Sequence, residues 1–335
     1  MLSPTLYSTC PPYRGAEPET YTREVRDVAR WSEEGGCEGM LVYTDNGLLD
    51  PWLFAQLIIQ NTAHLSPLVA VQPVYMHPYT VAKMVTTLSL LHRRRIDLNI
   101  VAGGFKNDLA ALNDRTPHDL RYARLIEYTT IIRRLLEGGS PVTFKGEFYA
   151  VSNLSLVPPL DPELMPRILL SGSSAEGLAA ARSLDALPVR YPGPPSVAGA
   201  RQLEADDEFG IRVGIIGREY EEDAWAIARG RFPEDRRGQA IHQLAMKVSD
   251  SAWHRQLSAI APHLPADSAY WMVPFQNYKT FCPYLVGSYD RVGEELGRYL
   301  TAGCRAIILD VPPDQGELGH VRLSIEAAER ALLNR

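Results

Sequence analysis

The sequence predicts an α/β protein built as a (β/α)8 TIM barrel with insertions, on three observations. Strand-like and helix-like segments alternate along the 335 residues, as parallel strands joined by right-handed helical crossovers require. The strand segments are short and nearly all apolar, as in PLVAVQP at 67–73, which suits strands buried on both faces. Polar residues and glycines gather where the strand signals stop, the end at which such a barrel builds its site. On pattern alone, a doubly wound open sheet is the runner-up.

The first strand signal covers residues 4–9, and an amphipathic helix carrying Val25, Val28, Ala29 and Trp31 follows over 21–34. Strand two spans 40–43. After TDNGLLD, Pro51 suits the first turn of a helix. Strand three, 67–73, leads to His77-Pro78, which opens a helix reaching about residue 92. The fourth unit, 96–139, organises the rest. IDLNIV sets Ile96, Leu98 and Ile100 on one side and Asp97, Asn99 and Val101 on the other, and Gly103-Gly104 stop the strand. A long polar loop, broken at Thr116-Pro117, precedes a helix marked by Leu125, Tyr128, Ile131, Ile132 and Leu135. A strand that turns Asp and Asn inward and ends in glycines is suited to hold a polar group closely.

PVTFKGEFYAV, 141–151, reads as a hairpin inserted after helix four, and 158–166 as a proline-rich connector. Strand five, 167–171, ends in Gly172-Ser173-Ser174 before a helix through 183. Strand six, 185–190, ends in RYPGPP, with a helix to about 204, and strand seven is 209–216. Residues 218–286 show helical stretches but no strand that fits the alternation, so they read as an insertion. A helix at 290–301, strand eight at 305–311 and a last helix complete the barrel, expected to be one domain over 1–335.

Composition narrows the function. A net charge of −6 argues against nucleic acid or an anionic membrane as partner. Cys10, Cys37, Cys282 and Cys304 are scattered without metal-ligand spacing, which points to reduced thiols and no metal site. MLSPTLYSTCPPYRG lacks a basic start and an apolar run, so a cytoplasmic location is expected. No GxGxxG, Walker, HExxH or GxSxG motif is present, which removes the sequence support for nucleotide-fold, P-loop, zincin and hydrolase readings.

The strand ends supply the candidates: Thr44-Asp45-Asn46-Gly47, Gln72, Tyr75, His77, Asn99, Gly103, Ser173-Ser174, Arg190-Tyr191, Arg212 and Asp310. Gly172-Ser173-Ser174 before a helix suits an anion and equally suits an ordinary serine cap. Arg212 alternates with Ile211 and Val213, so it faces the barrel interior and needs a ligand or an ion pair, with Asp97 a candidate. Asn99 is either a ligand contact or an interior hydrogen-bonder. His77 is either a proton carrier or a helix-start residue. Tyr122 can reach an anion or sit in the core.

The ordered pieces NIVAGG, RYARLIEYTTIIRRLLEG, VTFKGEFYAV, PRILLSGSSAEGLAAARSLDALPVRYPGPP, FGIRVGIIG and LVGSYDRVGEELGRYLTAGCRAIIL resemble the luciferase-like flavin monooxygenases. The branch is that of the FMNH2-dependent alkanesulfonate monooxygenases, and the likeness covers about residues 20–330. It implies a barrel with a mobile lid within 218–286, a homodimer or homotetramer, and reduced FMN delivered by an NAD(P)H-dependent flavin reductase. Carried over, Tyr122, Ser173 and Ser174 meet the flavin phosphate, while Asn99, Ala102 and Gly103 lie by its ring. O2 would react to a C4a-(hydro)peroxyflavin. The sulfonate enzymes' polar set is mostly missing: Leu48, Gly214, Pro312 and Asp314 stand where they carry Cys, His, Tyr and His, and Tyr278-Lys279 stand near their lid Arg. Arg212 alone is kept.

The resemblance therefore implies oxygenation of an organic, non-sulfonate substrate, free or carrier-bound, by Baeyer–Villiger insertion or hydroxylation in secondary metabolism. Arg212, His77 and Tyr191 are the catalytic candidates. Tyr43, Asp45, Tyr75, Arg190, Tyr278 and Lys279 are the substrate candidates, in a pocket that Trp52, Trp271 and Phe275 would make aromatic. A deazaflavin (F420)-dependent dehydrogenase on the same barrel and a non-catalytic flavin-binding protein are the alternatives.

Overall fold

The apolar runs pair in parallel and close on themselves. The computed structural model describes residues 3–103, 106–194, 208–248, 257–258 and 268–333. Gly104 and the helix expected up to about 204 lie outside them. The first half holds β1 (Thr5–Thr9), α1 (Pro18–Glu34), β2 (Gly39–Val42), α2 (Pro51–Asn61), β3 (Ser66–Val71), α3 (Pro78–His92) and β4 (Asp97–Val101). After these come α4 (Lys106–Ala111), α5 (His118–Glu137), β5 (Val142–Lys145), β6 (Ala150–Leu154), β7 (Ile168–Ser171), α6 (Ala175–Ser183) and β8 (Leu187–Arg190). The rest is β9 (Phe209–Arg212), β10 (Gly214–Arg218), α7 (Glu221–Arg231), α8 (Arg236–Val248), β11 (Tyr270–Trp271), α9 (Val273–Gln276), β12 (Tyr284–Ser288), α10 (Tyr289–Thr301), β13 (Cys304–Ile308) and α11 (Gln315–Leu333). The closed eight-stranded barrel runs β1-β13-β9-β8-β7-β4-β3-β2.

Local chemistry explains the starts and stops. Asp50 caps α2 by accepting from the N–H groups of Trp52 and Leu53, with Pro51 in the first turn. His77 caps α3, its Nδ1 accepting from the Tyr79 N–H at 3.2 Å. Ser174 caps α6 and Ser288 caps α10. The expected hairpin is present as the antiparallel pair β5–β6.

Two expectations need correction. The strand read over 209–216 is two strands in different sheets. The Val213 N–H still donates to Ile308 O of β13 at 3.0 Å, but the Gly214 N–H donates to Pro283 O at 2.9 Å. There the backbone changes partner, and β10 joins β12 and β11 in a separate three-stranded sheet. The stretch from 218 to 286, read as holding no strand that fits the alternation, contains β11 and the start of β12, and both lie outside the barrel. The long polar loop expected before Thr116-Pro117 holds the short helix α4, whose Leu109 is buried.

The chain packs as two compact units, one of residues 1–9, 34–37 and 189–335, the other of 10–33 and 38–188. In the second, α5 lays Leu125, Tyr128, Ile131 and Ile132 on a core with Leu98 and Ile100 of β4. In the first, Ile216, Ala224, Ala228, Tyr284 and Val286 form the core of the three-stranded sheet, against which Tyr191, Trp225 and Trp271 pack. No helix among the described residues is long and apolar enough to cross a membrane.

Candidate functional site

The residue 10–188 unit carries the candidate anion cradle of Tyr122, Ser173 and Ser174 at the start of α6. The Ser174 hydroxyl accepts from the Gly177 N–H at 3.1 Å and is hydrogen-bonded to Tyr122, whose hydroxyl is raised in pKa by burial against that bond's opposing effect. The glycines leave the phenol its room: a Cβ on Gly172 or Gly177 would lie 3.1 or 3.2 Å from the Tyr122 hydroxyl, which would have to give by a few tenths of an ångström. Beside them the Ser173 Oγ is buried without a hydrogen-bond partner. A buried hydroxyl normally has one. An orphan serine, a second serine and a protonated phenol at the positive end of a helix dipole are a donor set for a phosphate. These residues fit the FMN phosphate.

Next to the cradle, Asn99 is buried and its Oδ1 accepts from the Ser171 hydroxyl at 2.8 Å. Ala102 is also buried, and Gly103 sits at φ +102°, where a Cβ would meet Leu109 at 3.1 Å. A flat ring can approach such a backbone closely. Asp97, at the other end of β4, is taken by Arg95 Nε at 3.2 Å and the Arg167 N–H at 2.9 Å.

At the ends of β2 and β3 the Tyr75 hydroxyl donates to Asn46 Oδ1 at 2.7 Å, and Asn46 Nδ2 donates to Asp108 O at 3.0 Å. Burial, and then the Asp108 and Asp45 charges, push the Tyr75 phenol up to about 12. Burial also raises Asp45, with Asp108 adding to it while the Gly47 N–H opposes. Tyr43 and Leu48 line a space of about 20 Å3 with Cys10, Tyr21 and Phe54, room for a water rather than a substrate. Trp52 is a core residue, 2% exposed.

The residue 189–335 unit carries the other polar candidates. Arg212, 7% exposed, ends β9 and donates to the Tyr191 hydroxyl at 3.4 Å. Burial raises Tyr191, and Arg212 partly offsets this. Arg190 lies over the Phe209 ring at 5.1 Å. Tyr270 and Tyr299 each donate at 2.6 Å, to Pro192 O and Gly193 O, and so tie down the loop after β8.

Tyr284 was invisible to sequence reasoning. Its ring fills the space at Gly214, where a Cβ would lie 2.3 Å from it. Its hydroxyl donates to Asp310 Oδ2 at 2.7 Å. The absent side chain at 214 was the available signal, but it becomes readable only once β10 is known to pair with β12. Of the segment expected to hold a lid, Lys279 pairs with Asp235 at 2.7 Å. Tyr278 adopts φ +55° and packs its ring near His242 and Phe281. Trp271 stacks edge-on to Trp225, while Phe275 is 1% exposed and belongs to the core. Residues 249–256 and 259–267 of that segment lie outside the described residues.

A family model described as luciferase-like monooxygenase matches residues 6–306. The chain is 37% identical over 294 residues, 84% of each chain, to the 4-(gamma-L-glutamylamino)butanoyl-[BtrI acyl-carrier protein] monooxygenase BtrO of Niallia circulans. Its fold resembles EDTA monooxygenase EmoA from Chelativorans sp. BNC1, with a TM-score of 0.74, 15% identity and coverage of 98% and 94% of the two chains. An F420-dependent secondary alcohol dehydrogenase matches with a TM-score of 0.64, 18% identity and coverage of 97% and 98%. At such identities the two structures speak for the fold and leave the cofactor open.

Proposed function

The chain belongs to the luciferase-like monooxygenase family, and on that premise we propose that it is a two-component, FMNH2-dependent monooxygenase acting on an acyl group tethered to a carrier protein. The observation that carries the flavin assignment is the buried, unpartnered Ser173 hydroxyl beside Ser174 and Tyr122 at the start of α6. The likeness to the carrier-dependent relative supports the substrate class. A separate NAD(P)H-dependent reductase would deliver the reduced flavin.

Reduced FMN, when bound, supplies the electrons with which O2 is activated; this chain's residues bind, orient and shield. Ser173, Ser174 and Tyr122 hold the phosphate, and Asn99 with the Ala102-Gly103 backbone holds the ring. Arg212 stabilises negative charge that develops during oxygen transfer. Tyr191, protonated because burial raises it, can give a proton from its hydroxyl. The His77 Nδ1 is engaged by the Tyr79 N–H, so Nε2 is the ring nitrogen left for proton transfer. Arg190, Tyr43, Asp45, Tyr75, Tyr278 and Lys279 remain the substrate candidates.

The test is turnover. The protein, a flavin reductase, NADH, FMN and air are mixed with a carrier protein bearing the 4-(gamma-L-glutamylamino)butanoyl group. The carrier-bound acyl should gain the mass of one oxygen atom. Oxidised F420, the hydride acceptor a dehydrogenase needs, in place of FMN and the reductase should leave it unchanged. No gain with FMN and turnover with F420 would assign the dehydrogenase chemistry instead.

A further inference from the structure

The ends of β9, β12 and β13 bring together groups with no role in holding a flavin. Ile308 is the register partner of Arg212, and Asp310 stands two residues beyond it. Gly214 stands two residues beyond Arg212 on the neighbouring chain segment and gives up its Cβ space to the Tyr284 ring. The Tyr284 hydroxyl then reaches Asp310 Oδ2 at 2.7 Å. Burial raises the Tyr284 pKa and the Asp310 charge adds to it, so Tyr284 keeps its proton and Asp310 is the acceptor. Arg212, itself buried, is paired with the Tyr191 hydroxyl. The result is a carboxylate held by one phenol and a guanidinium joined to another.

A carboxylate fixed by a phenol, just past the strand whose neighbour ends in Arg212, supplies a base. Arg212 with Tyr191 supplies donors for a developing oxyanion, and together these are the parts needed to form and hold an enolate. We propose that Asp310 removes a proton from the carbon next to the carbonyl of an acyl thioester, with Arg212 and Tyr191 binding the enolate oxygen and Tyr284 positioning Asp310. The C–H bond breaks, its proton passes to the Asp310 carboxylate, and its electron pair forms the C=C bond as the carbonyl π pair moves onto oxygen. No oxidant is used in this step. The enolate carbon is the electron-rich partner that oxygen transfer requires, with reduced flavin and O2 as the oxidant. A thioester suits the step because sulfur donates less electron density into the carbonyl than an ester oxygen or a carboxylate does, which leaves the adjacent C–H more acidic. The inference rests on the carrier-bound acyl reading and predicts where the oxygen enters: at the carbon adjacent to the thioester.

Isotope exchange reads this step without turnover. The full-length protein is incubated anaerobically in D2O with the 4-(gamma-L-glutamylamino)butanoyl carrier thioester, with and without oxidised FMN. Deuterium at the carbon next to the thioester is followed by mass spectrometry of the released acyl group. Wild type should exchange it at least roughly 100-fold faster than Asp310→Asn, the usual scale for loss of a general base. Tyr284→Phe should slow exchange several-fold with the affinity for the thioester unchanged, a split that a merely structural role would not give. Melting curves of both variants confirm folding. Exchange that survives Asp310→Asn overturns the proposal. So does an enzyme that oxygenates the same thioester in air yet exchanges nothing, and in that case the monooxygenase reading stands. An enzyme that neither binds nor oxygenates the thioester overturns the carrier-bound acyl reading itself, and the proposal with it.

Discussion

Single residues set the chemistry through burial. Ser174 serves twice, as the cap of α6 and as a hydroxyl of the anion cradle. Ser174→Ala should therefore cost about 1 kcal/mol of stability through the lost cap. Combined with Tyr122→Phe, it should weaken FMNH2 binding by roughly 1–3 kcal/mol, measured by anaerobic fluorescence titration. Unchanged affinity removes the phosphate assignment. Gly214 is constrained from the opposite direction. Because a Cβ there would lie 2.3 Å from a ring that is 3% exposed, Gly214→Ala must displace Tyr284 and should destabilise by about 1–3 kcal/mol, the usual cost of overpacking. Calorimetry checks the stability. A mutant as stable as wild type would show that the Tyr284 ring is free to move. The serines were visible in the sequence as Gly-Ser-Ser before a helix, a pattern that suits an anion and an ordinary serine cap alike. Tyr284 was not, because its role depends on which strand lies beside Gly214.

At the scale of elements, β10, α7 and α11 are joined by one carboxylate. Glu317, 4% exposed, accepts from Arg218 at 2.8 Å and Arg231 at 2.7 Å. Burial alone would raise its pKa, but the two arginine hydrogen bonds outweigh burial and lower it. A depressed carboxylate contributes stability that is present above the unfolded value, ~4.3, and is lost as pH falls through the folded value. Glu317→Gln should thus cost roughly 3 kcal/mol at neutral pH, in line with breaking a buried pair. Denaturation of both proteins from pH 7 downward should show the gap closing in acid. A constant gap would mean that the arginine contacts contribute nothing electrostatic. The second element-scale contact is the loop after β8, tied by Tyr270 and Tyr299. Tyr270→Phe with Tyr299→Phe should lower the turnover rate more than the thermal midpoint, since the loop presents Tyr191. The barrel strands were legible here because buried parallel strands read as apolar runs. The break at Val213 was not, since FGIRVGIIG is equally apolar on both sides of the point where its hydrogen bonds change partner.

For the whole molecule, the alternation of strands and helices pointed to a parallel α/β fold and left a closed barrel and a doubly wound open sheet, between which the family resemblance decided for the barrel. The lid-sized insertion was legible as an interruption of that alternation. Its strands were not, since β11 is two residues long and β12 pairs with β10, whose residues read as part of a barrel strand. The aromatic residues of the insertion were expected to line a pocket, yet Phe275 packs into the core because apolar rings gain more from burial than from facing a site.

The central claim is that this molecule uses reduced FMN and O2 to oxygenate a carrier-bound acyl group. The most direct measurement is the intact mass of the carrier protein after incubation with the enzyme, a flavin reductase, NADH, FMN and air. The account predicts a gain of one oxygen atom on the acyl arm, dependent on all of these components and lost in Arg212→Ala. An unmodified carrier, with FMNH2 consumed only at the rate seen without the enzyme, would contradict it.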